Sequence, residues 1–193
     1  MRELKKGLKV LLLTLGAYLI QGCVMEHLSM RGTIGSVEFA VIAILMVSYG
    51  KKYAFCSSCM IGVMKECMVG NVPAFYAIAY PVIAMLCAQF FADMSDRKRE
   101  RLRTLNTTGS RRETDYPAEI RIPLCAGLMD ALLNIVLCAY LYLIGVDLSF
   151  FHIARLFGSM VYTVALAAGL MLPLRAFLGM YRRRKRNEGG ELL

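Results

Sequence analysis

Lys65 and Glu66 stand side by side within an apolar run that extends from Tyr53 to Val69. A lysine at the centre of a bilayer-spanning helix costs about 2.5–3.5 kcal/mol, so a chain that keeps both charges must pair them, hydrate them or use them. Asp130 is a second ionisable group inside an apolar run, and Asn134 follows one helical turn later on the same face. Counted from one flank, Lys65 lies twelve residues after Tyr53 and Asp130 eight after Ile122. At 1.5 Å per residue the two depths differ by about 6 Å, within reach of a lysine side chain. The spacing predicts a contact between the third and fifth apolar segments through Lys65, Asp130 and Asn134. Glu66, about 100° further round its helix, faces another helix, water or a second protein.

Three uses of these charges compete: a structural ion pair, a partner-facing contact, or a site for ion relay or substrate. The relay lacks a continuous path, because the first, second, fourth and sixth apolar segments carry almost no ionisable residue at mid-depth. No nucleophile stands beside a base and no carboxylate cluster suits a divalent metal, so the expectation is a non-enzyme without cofactor or metal. Cys56-x-x-Cys59 would put two sulfurs on one helix face, but a zinc site needs further ligands. The two histidines, His27 and His152, map to the opposite end of the apolar segments. The seven cysteines read as small polarizable packing residues and fix no redox compartment.

The elements that hold these groups follow from composition. Of 193 residues, 58% are hydrophobic and 19% charged, and the charges are bunched; the mean hydropathy is +0.53. Soluble domains carry about a quarter charged residues, so lipid is the expected solvent. Six apolar runs, 8–25, 34–50, 53–69, 72–92, 122–146 and 153–178, predict one all-α, polytopic integral membrane domain built as a six-transmembrane-helix bundle. The second run is short and carries Glu38. Gly127-x-x-x-Ala131 and Ala165-x-x-x-Gly169 mark faces where helix backbones can approach.

Charge placement tests the six-span map independently. With the N-terminus inside, nineteen of the 23 lysines and arginines fall on the cytoplasmic side, as cations in short loops do. Arg31 and Arg155 lie outside, Arg175 can snorkel inward and Lys65 is intramembrane. Both termini are therefore expected in the cytoplasm. A start such as "LLLTLGAYLIQGC" after basic residues suggests a cleaved or lipoprotein signal, but Gln21 suits cleavage poorly and further spans follow, so it reads as an uncleaved first helix.

The 93–121 segment is a basic cytoplasmic loop and 182–193 a basic tail. Arg97, Lys98, Arg99, Arg101, Arg103, Arg182, Arg183 and Arg184 are expected to meet anionic lipid, at about 1 kcal/mol per cation near the surface, or a cytoplasmic protein partner. Asn106-Thr-Thr matches a glycosylation acceptor by chance on that side.

Together the stretch "VEFAVIAILMVSYGKKYAFCSSCMIGVMKECMVGNVPAFYAIAYPVIAMLCAQFF", the loop after it and the closing "LMLPLRAFLGMYRRRKR" resemble the bacterial rod shape-determining protein MreD family. In that family a third-helix glycine is followed four residues later by aspartate. Gly62 and Glu66 match this spacing with glutamate instead. Leu172-Pro173-Leu174-Arg175 is similar to the family's last-helix ending. The proline that often opens its second helix is Val37-Glu38 here, and the connection after Glu66 is compressed into "CMVGNVP".

The resemblance covers nearly the whole chain, on mostly apolar motifs. It implies a non-enzymatic scaffold of cell-wall elongation in the bacterial plasma membrane. Family members associate with MreC and through it with MreB, RodA and a class B penicillin-binding protein. Their fold is similar to substrate-binding subunits of energy-coupling factor vitamin transporters, which supplies an alternative function. Those subunits usually present an alanine-x-x-x-alanine face on the first helix. Here that helix has a lone alanine, Ala17, and the outer loops are short, which favours the scaffold.

Overall fold

The computed structural model describes residues 2–25, 27–28, 33–69, 74–91, 118–145 and 150–178. The basic positions 97–103 and 182–184 and the Asn106 sequon lie outside the described residues. Among the described residues there are six α-helices: α1 (Arg2–Ile20), α2 (Val37–Tyr49), α3 (Lys51–Val69), α4 (Phe75–Phe91), α5 (Ala118–Leu143) and α6 (Phe150–Phe177). A π-helical turn, Gln21–Met25, extends α1.

Local chemistry fixes the ends of α2. The Ser36 hydroxyl accepts from Phe39 N–H as the N-cap, and Glu38 in the first turn suits the positive end of the helix dipole. At the other end Gly50 adopts φ 95°, open to residues without a β-carbon, and its N–H closes on Met46 O at 3.0 Å. The chain reverses at that one residue into α3.

A helix apolar all round is buried on every side, by protein or by lipid, and α2 is buried by protein. Every residue from Val37 to Val47 is buried. Thirteen residues span about 20 Å against about 30 Å of hydrocarbon. The helix is instead enclosed by the other five, all of which it touches. It therefore stands between α3 and α5, which each pack against it.

The remaining helices bury one face and expose apolar residues on the other; Leu143 is 83% exposed, and Met68 and Phe90 are each 78% exposed. So wide an apolar surface is compatible with a membrane protein. Among the described residues, three segments, Lys6–Met25, Glu119–Leu143 and Ala154–Phe177, are long and apolar enough to cross a bilayer.

Polar contacts fix how the helices run. Thr14 Oγ1 and Ser57 Oγ meet at 2.9 Å and the Tyr18 hydroxyl donates to Met64 O at 3.1 Å, so α1 and α3 are parallel. Lys9 Nζ donates to Phe177 O at 3.2 Å, and the Arg121 guanidinium donates to the Phe91 carbonyl. Cations thus sit on the carbonyl ends of α6 and α4, where the helix dipole favours them. These contacts, with Lys51 and Lys52 at the start of α3, gather cations at one end of the bundle.

Gly127 carries one of the two expected close approaches: a β-carbon there would lie 2.5 Å from Val164 Cγ2 of α6. Gly169 does not, because nothing lies within 4 Å of the β-carbon position.

Candidate functional site

Near the end of α3 the Lys65 ammonium donates to Glu38 Oε2 at 3.0 Å and to the Tyr80 hydroxyl oxygen at 2.8 Å. The Tyr80 hydroxyl donates in turn to Glu38 Oε2 at 2.5 Å, closing a three-membered ring of charge-assisted bonds. Each member comes from a different helix: Glu38 from the first turn of α2, Lys65 from α3, Tyr80 from α4.

Aromatic packing holds the ring in place. Tyr80 is fully buried and stacks on Phe39, with centroids 4.9 Å apart. The ammonium also lies 5.3 Å from the Tyr80 centroid and 5.8 Å from that of Tyr76, within cation–π range. Burial is uneven: the Glu38 side chain is 1% exposed and that of Lys65 26%.

The expected Lys65–Asp130 contact is therefore corrected. The obstacle is lateral, because α2 is interposed and offers Glu38 first. Asp130 accepts instead from Ser159 Oγ at 2.9 Å and from the Thr163 hydroxyl. Thr163 Oγ1 also accepts from Ser36 N at 2.9 Å, tying this buried carboxylate to the start of α2. Asn134 does not join: its buried amide nitrogen has no hydrogen-bond partner among the described residues.

Glu66 is used within the chain. Its Oε1 accepts from Ala74 N and its Oε2 from Tyr76 N, both at 2.9 Å, so it caps the start of α4. Gly62, one turn earlier, faces the same helix; a β-carbon there would lie 2.7 Å from Tyr76 O. The Gly62-x-x-x-Glu66 pattern is thus a joint: glycine admits the α4 backbone and glutamate satisfies its free N–H groups.

A cavity of about 460 Å³ opens beside the ion pair, lined by Tyr18, Leu19, Gln21, Glu38, Lys65 and Met68 among others. Gln21, in the π-helical turn, shapes it: Nε2 donates to Gly35 O at 3.2 Å and Oε1 accepts from Val37 N at 2.8 Å. π-helical turns are frequent at functional sites. A second groove of about 390 Å³ between α4 and α5 is almost wholly apolar, lined by Phe75, Val82 and Tyr140 among others.

Sequence reasoning missed Glu38 and Tyr80 as partners of Lys65. Glu38 had a legible signal, a lone acid opening an otherwise apolar helix; Tyr80 had none. Comparison of the chain with family models, curated proteins and solved structures gives no match.

Proposed function

We propose that this chain is a six-span plasma-membrane protein with both termini in the cytoplasm. It acts as a non-enzymatic scaffold of the cell-wall elongation machinery. MreC is its direct partner, and MreB, RodA and a class B penicillin-binding protein join through MreC. The observation that carries the reading is the joint at Gly62 and Glu66. The residues behind the resemblance to the MreD family have a definite task, holding α3 against α4.

The polar side chains of the bundle are spent largely on helix-to-helix bonds, as suits a protein whose output is a fixed surface. Apolar residues such as Phe90 and Phe157 remain exposed for lipid or partner helices. Purification of the tagged chain from mild detergent should retain MreC in stoichiometric amount. Loss of MreC with the protein still monodisperse would overturn the scaffold reading.

The cavity beside Lys65 supports one alternative, a substrate-binding subunit of an energy-coupling factor-type vitamin transporter. That reading requires co-purification with the coupling-factor membrane subunit and its ATPases in place of MreC.

A further inference from the structure

Among the described residues, the Lys65–Glu38 pair leaves two hydrogen-bonding positions open. Lysine has three N–H donors, and Lys65 directs two of them to Glu38 Oε2 and the Tyr80 hydroxyl. Glu38 Oε2 accepts from both neighbours, while Oε1 accepts no hydrogen bond among the described residues. Both residues line the cavity of about 460 Å³. The Glu38 side chain is 1% exposed, and Oε1 is not among the sealed polar atoms without a partner, so what exposure it keeps is toward the cavity, whose occupant can supply the donor.

The cavity lies at the end of the bundle opposite the cation-bearing end, beside the last turns of α1 and α3 and the start of α2. Its rim is apolar, with Leu19, Ile34 and Met68 exposed. A ligand matching this site has an N–H-bearing cation for Glu38 Oε1, an anionic oxygen for the third Lys65 N–H, and apolar surface for the rim.

We propose that the cavity binds a zwitterionic primary-amine amphiphile, with the chemistry of a phosphoethanolamine headgroup carrying acyl chains. The ammonium sits on Glu38 Oε1 and the phosphate on Lys65 Nζ. The chains leave past Leu19 and Met68. A quaternary ammonium fits less well, because it has no N–H to give Glu38 Oε1; a phosphoglycerol headgroup fits less well, because its hydroxyls can donate but its net negative charge falls beside Glu38 uncompensated.

The test is lipid retention by the full chain, followed by native mass spectrometry in equimolar phosphatidylethanolamine, phosphatidylcholine and phosphatidylglycerol. Phosphatidylethanolamine should be retained at least tenfold over each of the others. The preference should vanish in the neutral double variant Glu38→Gln/Lys65→Met. Gly22 lines the cavity, and its β-carbon position meets nothing within 4 Å, so Gly22→Leu fills the site without touching the ion pair. It should abolish the preference even if the double variant does not fold. Displacement by free glycerophosphoethanolamine would assign the site to the soluble form of this chemistry, and its absence to the lipid. Equal retention of the three lipids, or a preference unchanged in Gly22→Leu, overturns the proposal.

Discussion

At the scale of single residues, the uneven burial of the Lys65–Glu38 pair makes its two halves unequal. Removing one partner of a buried ion pair costs about 3–5 kcal/mol because the other charge is stranded. Lys65→Met strands Glu38 in the core at 1% exposure and should lose stability in that range. Glu38→Gln strands only a lysine already 26% exposed, whose ammonium can turn toward the nearby end of the bundle, so its loss should be smaller. The double variant should recover much of the Lys65→Met loss. Lys65→Met and Asp130→Asn should add, since Asp130 is held by Ser159 and Thr163. Thermal unfolding of the detergent-solubilised variants, followed by circular dichroism, measures all five. Equal losses for the two single variants, or coupling to Asp130 instead of Glu38, would show the pairing to be wrong.

At the scale of elements, α3 and α4 are joined at one end by Glu66 and Gly62, and different substitutions probe the two contributions. Glu66→Ala removes two acceptors from the start of α4, a capping loss of about 1 kcal/mol. Amide exchange should quicken at Ala74 and Tyr76 and stay slow along α2. Gly62→Val forces a β-carbon onto Tyr76 O and must push the helices apart, so it should lower the melting temperature more than Glu66→Ala. Unchanged exchange at Ala74 and Tyr76 would remove the cap from the account. Helical segments were legible in the sequence because apolar runs broken by Gly, Pro and charge are a one-dimensional signal. Which helix stands beside which was not, because a uniformly apolar helix such as α2 shows no preferred face from which to place its neighbours. The acceptor role of Glu66 was hidden too: its donors are backbone N–H groups, which every residue but proline possesses.

At the scale of the whole molecule, parity decides how many of the six described helices cross the bilayer. Among the described residues, only α1 with its π-helical extension, α5 and α6 are long and apolar enough to cross alone. If these three were the complete set of crossings, the two termini would face opposite compartments. If α2, α3 and α4 also cross, the count is even and both termini share one side. The contacts favour the even count. Lys9 near the start of α1 and Phe177 near the end of α6 meet at 3.2 Å, so both helices have these ends on one face of the bundle. Lys51, Lys52 and Arg121 begin α3 and α5 among the same gathered cations, and cations favour the cytoplasmic face. The short α2 can take part because its neighbours shield it from lipid along its buried length. Reporters fused before Met1 and after Leu193 should therefore both be active in the cytoplasm. A single-cysteine variant retaining the exposed Cys67 should react with a membrane-impermeant maleimide added from outside, while cysteine placed by Lys52→Cys should not. A C-terminal reporter active only on the outer side would reduce the crossings to an odd number and turn the α2–α3 hairpin into a re-entrant element.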